Sequence, residues 1–490
     1  MIRAGEDLRA ETFDSLRAGA PERADRGGDL RAGIRAAIRG ARSRVVVLDD
    51  DPTGTQSVHG IPVLTGWSPE DLRWAFDQPT AGFFILTNTR GLNDAEAVEV
   101  VTAVATSVAR IAAERDMSFT LIARGDSTLR GHFPVETDAL AEAARQQGTP
   151  YDALLLAPAY FAAGRVTVDD IHYVEVDGSL VPVGRTNYAD DATFGFRSSD
   201  LRDYIEEKTG GAIDASEVNS IGLDDIRSGG VDRVRDIILE TAGGMPVVVN
   251  ALDDGDLDVV VLGLLAAERR GHRVLGRTGP SFVAARLGLT DRGPLTYDEI
   301  FVGGARAGHG LVVVGSHVEL TSRQVARLIE QTADLEIIVL DVPRLLDPAG
   351  SDTEIQRCAD ALAAALGVGD TMLVSSRDQV VGVTGHSSLV IARTVSAALS
   401  RLAAHCVGAV PLRWVLAKGG ITSSDIATEG LGIRRATVAG QLFPGIVSVW
   451  LHEGGDHPDL AGLPYIVFAG NVGEASTLAE AVAVLRGERL

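Results

Sequence analysis

Short runs of apolar residues that stop abruptly at polar, often glycine-containing motifs dominate this chain. VVVLDD, GFFILTNT, FTLIARGDS and ALLLAPAY each give way to a helical pattern before the next run begins. A strand that is apolar on both faces needs cover on both sides. Helices between successive strands supply it, so the rhythm predicts a parallel sheet in an α/β fold. It returns beyond residue 310 with LVVVGSH, EIIVLDV, TMLVSS, RWVLAKGG, VSVWLH and YIVFAGNVG. At 490 residues the chain exceeds what one core organises. Two α/β domains with mainly parallel sheets and an interdomain cleft are expected. Residues 1–43 read as a charged helical extension, 44–295 as the first domain and 296–490 as the second. The Gly-rich stretch 293–310 is the linker candidate. Residues 173–193 are more polar and turn-rich, which suits a hairpin excursion or an active-site flap. No repeat of about 20–50 residues appears, which disfavours a solenoid.

Composition narrows the function classes. A net charge of −22 opposes nucleic acid and anionic membranes as partners, and aromatic residues for base stacking are only 5% of the chain. The two cysteines, Cys358 and Cys406, have no CxxC spacing, so neither a disulfide framework nor a Cys-rich zinc site organises the fold. No apolar run reaches the ~20 residues that span a bilayer. The first residues carry charges throughout and no apolar signal core, so a cytoplasmic location is expected. A homodimer is the base-rate expectation for assembly.

In a parallel sheet, ligands bind at the carboxyl ends of strands. Four successive strand ends offer Asp49, Asp50 and Asp51, then Asn88 and Arg90, then Arg124, Asp126, Ser127 and Arg130, then Arg165. Such turns are polar partly because Asp, Asn and Thr cap helices. Carboxylates that polarise hydroxyls, interleaved with guanidiniums that clamp oxyanions, suit a small polyhydroxylated acid. In the second half, VVVGSH, VLAKGGITSSD and FAGNVGEAST each join a strand to a Gly-rich turn. Glycines let backbone N–H groups approach phosphates, so the three turns point to a nucleotide. Only Lys208 and Lys418 are lysines among 45 basic residues, and Lys418 lies beside the second of these turns. GxxxxGK[ST] and an early GxGxxG are absent. His132, His317 and His386 have no HxH or HExxH spacing, which makes zinc a poor fit.

As an ordered set these motifs resemble the four-carbon acid sugar kinase family, from about Val45 to Val484. Asp50-Asp51-Pro52-Thr53-Gly54, Thr87-Asn88-Thr89-Arg90, Asp126-Ser127-Thr128-Leu129-Arg130-Gly131 and the segment from Pro158 to Arg165 carry it in the first half. Val314-Gly315-Ser316 with Thr321 and Gln324, Lys418-Gly419-Gly420-Ile421-Thr422, and Phe443-Pro444-Gly445-Ile446 carry it in the second. The resemblance implies an N-terminal acid-sugar domain, a C-terminal ATP-binding domain and Mg²⁺-assisted transfer to a terminal hydroxyl of a tetronate or 3-oxo-tetronate. By position, Asp50, Asp51, Arg90, Asp126, Ser127 and Arg130 would face the substrate, and Ser316, Gly419, Gly420, Ile421, Thr422 and Gly470 the nucleotide. The family's last glycine turn begins with Lys-Ser-Gly. Here it is Phe468-Ala469-Gly470, with Lys418 or Arg434 as replacement charges.

Phosphoryl transfer asks mainly for positioning and charge neutralisation, with a carboxylate accepting the hydroxyl proton. Asp51 or Asp50 is the candidate base, and Arg90 and Arg130 are candidate holders of the substrate carboxylate. Domain closure would exclude water. Two other readings compete. Asp49-x-Asp51-x-Thr53 matches the DxDxT of haloacid-dehalogenase-type phosphatases, and the missing lysine at 468 suits a non-catalytic acid-sugar sensor.

Overall fold

The computed structural model describes residues 12–22, 29–376, 385–443 and 445–488. The chain forms two compact units. One runs up to Ser57 and resumes over Trp67–Asp291; the other joins Val58–Gly66 to the chain from Arg292 onward. The α/β class expected from the apolar rhythm is the one observed.

In the first unit seven parallel strands lie in the order Gly82–Leu86, Ser43–Asp49, Ser118–Arg124, Val274–Thr278, Ala153–Ala157, Met245–Val249 and Asn219–Ile221. Residues 45–49 are all buried, as a strand covered on both faces must be. The helix Asp94–Glu114 starts with a reciprocal cap. Asn93 Oδ1 accepts from the Glu96 amide and Glu96 Oε2 from the Asn93 amide, each at 3.0 Å. Its buried positions, Ala97, Val101, Val104, Ala105, Val108, Ile111 and Ala112, recur at helical spacing and form the face turned to the core.

Register decides what the sheet presents. Asp49 pairs laterally with Leu86 and Arg124, while Thr278 pairs with Arg124 and Ala157. Five adjacent strands therefore end level, and the polar motifs that follow them emerge at one edge. The turn-rich excursion is a three-stranded antiparallel sheet, Arg165–Val168, Ile171–Val176 and Ser179–Pro182.

The N-terminal extension is not a separate appendage where it is described. Its helices Phe13–Gly19 and Leu30–Ile38 belong to the first unit. Ile34 is fully buried, Arg31 Nε reaches Asp258 Oδ1 at 2.6 Å, and Phe13 and Leu16 pack on the core cluster that contains Val166, Tyr173 and Leu180.

In the second unit, five parallel strands run Glu336–Leu340, Thr371–Ser375, His309–Val314, Leu412–Lys418 and Pro464–Phe468. An antiparallel wing of Val447–Gly455, Ile433–Phe443 and Ile61–Leu64 follows. Ile61–Leu64, expected in the first domain, thus belongs to the second unit. It is only four residues long, and its partner is more than 360 residues away, so no local pattern marks it. The stretch 293–310 is also more than a linker. Leu295, Ile300 and Phe301 are core residues, and the Leu295 amide donates to Gln441 O at 2.7 Å.

Candidate functional site

In the first unit the three aspartates of LDDDPTG separate into distinct roles. Asp49 is fully buried at the end of its strand. Its Oδ1 accepts from Arg124 Nη1 at 2.9 Å and from the Asp51 amide at 3.2 Å, while its buried Oδ2 has no hydrogen-bond partner among the described residues. Burial pushes its carboxyl up to about 7, against the pull of Arg124. A Cβ on Gly54 would lie 1.8 Å from that Oδ2, so the turn closes onto the carboxylate and only glycine fits there. A phosphorus attacked by this carboxylate would need the same space. This enclosure removes the geometric basis of the phosphatase reading.

Asp50 and Asp51 share one guanidinium. Arg90 Nη2 is 2.5 Å from Asp50 Oδ1, and Arg90 Nη1 is 2.8 Å from Asp51 Oδ2. Arg90 is thus engaged by the aspartates it was expected to work beside. Burial works against its charge, but Asp50, Asp51 and Asp126 outweigh that and hold it above its ordinary value. Asp50 is 3% exposed and Asp51 24% at the side chain, so Asp51 is the more accessible carboxylate. Asn88, at φ 52°, supplies the left-handed step between its strand and Arg90.

The 125–131 loop folds around Asp126, which accepts from Arg130 Nε at 2.7 Å, the Thr128 amide at 3.2 Å and the Thr128 hydroxyl. Burial alone would raise its carboxyl, but Arg90 and Arg130 hold it well below the usual carboxylate range. Arg130 also lies over the Tyr188 ring at 5.0 Å and 3.8 Å from Asp191, so the segment after the hairpin reaches this site. Ser127 is buried, and its carbonyl accepts from His172 Nε2 at 2.8 Å. Burial lowers His172 to about 4, leaving it neutral and structural. Arg165 lies 5.8 Å over the Tyr160 ring, and its buried Nε has no hydrogen-bond partner among the described residues.

Several residues that build this site carry no motif. Arg277 Nη1 pairs with Glu136 Oε2 at 2.9 Å, and Glu136 Oε1 accepts from Thr89 Oγ1 at 2.5 Å. Cβ atoms on Gly125 and Gly131 would fall 2.5 and 2.7 Å from the Arg277 guanidinium, so the substrate-side loop is wrapped on this side chain. His132 ties the same region together, with Nδ1 2.6 Å from Asp94 Oδ1 and Nε2 2.9 Å from Thr89 O. The available signal was a lone charge inside the apolar run VLGRT, since a buried Arg needs a partner.

In the second unit three strands end in register, Val314 opposite Lys418 and Lys418 opposite Phe468. Their three turns meet. Thr321 Oγ1 donates to Gly470 O at 2.7 Å and to Ser316 Oγ at 3.2 Å, and Gln324 Nε2 holds Val472 O and Glu474 O at 3.0 and 2.8 Å. A Cβ on Gly470 would be 2.5 Å from Ser316 Oγ, and one on Gly315 2.2 Å from Thr422 Oγ1. Gly419 needs its glycine at φ 128°, Gly420 opens the helix Gly420–Asp425, and Ile421 is 56% exposed. Pro444 and the side chains of Pro52, Thr53 and His386 lie outside the described residues.

Lys418 sits behind the last glycine turn. It is fully buried, with Nζ 2.6 Å from Ala469 O and 3.7 Å from the centre of the Phe468 ring. Of the two replacement cations, Lys418 is therefore the one at this turn; Arg434 pairs with Asp456 at 3.2 Å. Burial lowers Lys418 to about 7. Between that value and the ordinary 10.5 the folded chain binds fewer protons than the unfolded one, so this group makes stability rise with pH across the window. Lys418→Met is expected to gain melting temperature relative to the parent chain at pH 7 and to lose that advantage by pH 10. The same difference at both pH values would contradict the buried ammonium.

Among the described residues no group of three or more His, Cys, Asp or Glu is arranged to hold a metal ion, and no helix is long and apolar enough to cross a membrane.

Residues 45–286 match the family model of a sugar-binding N-terminal domain, and residues 311–478 that of a nucleotide-binding C-terminal domain. The chain is 26% identical to a D-threonate kinase of Bordetella bronchiseptica over 458 residues, 90% of this chain and 98% of that protein. It is 29% identical to a 3-oxo-isoapionate kinase of Paraburkholderia graminis over 150 residues, 28% of this chain and 31% of that protein's length. A solved structure from Salmonella typhimurium LT2, named provisionally as a tRNA synthase, superposes with TM-score 0.63 at 19% identity over 90% of this chain and 98% of its own. A Haemophilus influenzae protein does so with TM-score 0.60 at 16% identity over 89% of this chain and 99% of its own. At these identities the two structures speak to the fold alone.

Proposed function

Because this chain belongs to the four-carbon acid sugar kinase family, we propose that it transfers the terminal phosphoryl group of ATP to a hydroxyl of threonate, erythronate or a 3-oxo-tetronate. The observation that carries this reading is the near end-to-end match to a D-threonate kinase, together with this chain's own matches to a sugar-binding and a nucleotide-binding domain. Asp51 accepts the hydroxyl proton, since it is the accessible carboxylate of the Arg90 pair. Arg165, with a guanidinium nitrogen that none of the described residues engages, takes the substrate carboxylate together with Arg130. Asn88, Asp126 and Ser127 shape the rest of that pocket. The turns at Ser316, Gly419–Thr422 and Gly470 take the nucleotide phosphates through backbone N–H groups, and Lys418 braces the last turn. Mg²⁺ would enter with the nucleotide, since it is held mainly by phosphate oxygens with one or two carboxylates. The family resemblance and the polar strand edge support this assignment; the enclosed Asp49 weighs against a phosphatase.

A coupled ADP-release assay over threonates, erythronates and their 3-oxo forms tests the reading. Turnover with one of these acids is expected. Binding without ADP formation would favour the sensor, and ATP-independent phosphate release the phosphatase. In the same assay Arg165→Met is expected to raise KM for the acid about tenfold to hundredfold, the loss of one charge-assisted hydrogen bond. The ATP KM should not move. An unchanged acid KM would remove Arg165 from the site.

A further inference from the structure

A groove of about 760 Å³ lies in the first unit at the end of the sheet opposite the aspartates. The amino ends of three strands, at Ser43–Arg44, Ala81 and Ser118, open onto it, as does the helix Leu30–Ile38 of the N-terminal extension. Five arginines line it, Arg35, Arg39, Arg44, Arg269 and Arg286, against one carboxylate, Glu268. In a chain of net charge −22 this is a strong local reversal of sign.

Two of the guanidiniums are paired, Arg35 Nη2 with Asp29 Oδ2 at 3.3 Å and Arg286 with Glu268, yet each keeps one buried nitrogen without a partner among the described residues. Arg286 is 96% buried, since only 4% of it is exposed; its Nη2 meets Glu268 Oε2 at 2.7 Å, but its buried Nε has no hydrogen-bond partner among the described residues. Arg35 Nη1 and Arg44 Nε are also buried without partners among the described residues. Among the described residues Arg44 otherwise donates to the carbonyls of Ser43 and Gln78, at 3.1 and 3.0 Å, neither of which neutralises it. Burial lowers its guanidinium from the ordinary value, with Asp77 pulling the other way. Buried cationic donors without acceptors are costly unless a ligand meets them.

We propose that this groove is a second binding site, for a small polyanion carrying phosphoryl or carboxylate groups. A guanidinium fork matches either group, and clustered forks favour a ligand with at least two charges. The chain's overall negative charge repels long polyanions, so the ligand is a small molecule rather than a nucleic acid. The site stands independently of the kinase reading, because it uses none of the residues assigned there.

The test uses the full chain with its nucleotide site saturated by a non-hydrolysable ATP analogue and its substrate site by threonate. Pyrophosphate and citrate are then titrated separately by calorimetry, into the parent chain and into Arg39→Gln/Arg269→Gln. Both replaced residues are exposed, so folding should be kept, and an unchanged melting temperature checks this. One equivalent of at least one anion is expected to bind the parent chain, with affinity at least tenfold weaker in the variant. Binding of pyrophosphate alone marks a phosphoryl ligand, and of citrate alone a carboxylate ligand. No binding of either anion, or equal affinity in the parent and variant chains, would overturn the proposal.

Discussion

Asp51→Asn is expected to lower kcat for acid-sugar phosphorylation by about 10²–10⁴-fold, the usual contribution of a positioned proton acceptor, with nucleotide affinity unchanged. The amide keeps the volume of the carboxylate and can still accept from Arg90 through its oxygen, so the loop should hold its shape. What disappears is the group that can take a proton. Asp50→Asn is the informative companion. Asp50 is nearly inaccessible and held by two nitrogens of Arg90, at 2.5 and 3.4 Å, so its loss should appear mainly as reduced stability and a disturbed Arg90. If Asp51→Asn retained full turnover while Asp50→Asn abolished it at unchanged melting temperature, the base would be Asp50. Full turnover in both would remove the pair from the proton transfer.

The largest stability effect should come from a residue that no motif marks. Arg277→Met is expected to cost about 3–5 kcal/mol, because it leaves Glu136 buried without its charge partner. In a unit of this size that corresponds to a fall of roughly 6–20 °C in melting temperature. Met also vacates the space against which Gly125 and Gly131 are packed, so the loop bearing Asp126 should loosen and the acid-sugar KM rise. Adding Glu136→Gln should recover part of the stability, since the uncompensated charge is then gone. A melting temperature within about 2 °C of the parent chain would mean that the buried pair contributes little.

The sequence carried much of the site's outline. Buried strands with no polar face announce a parallel sheet, and a parallel sheet puts its ligand at the strand ends. That was enough to bring Asp51, Asn88, Asp126 and Arg165 together as candidates, along with the three glycine turns. It could not assign partners. Arg90 reads as a clamp for substrate, yet its fork is occupied by Asp50 and Asp51. Lys418 reads as a phosphate contact, yet its ammonium is buried under Phe468 and bound to Ala469 O. In both cases residue type was legible and the direction of the side chain was not.

By itself, then, the sequence determined the α/β class and the strand ends where polar chemistry gathers, because hydrophobic periodicity and turn residues act over a few neighbours. Only the tertiary structure decided which opposite charges meet. Glu136 finds Arg277 from 141 positions away, and Ile61–Leu64 finds its partner strand near Val438. Such pairings depend on how strands are ordered and registered within each unit, and no local pattern encodes that order. The same physics set the three aspartates apart. Asp49 closes the turn and Asp50 anchors Arg90, while Asp51 keeps the exposure that chemistry needs.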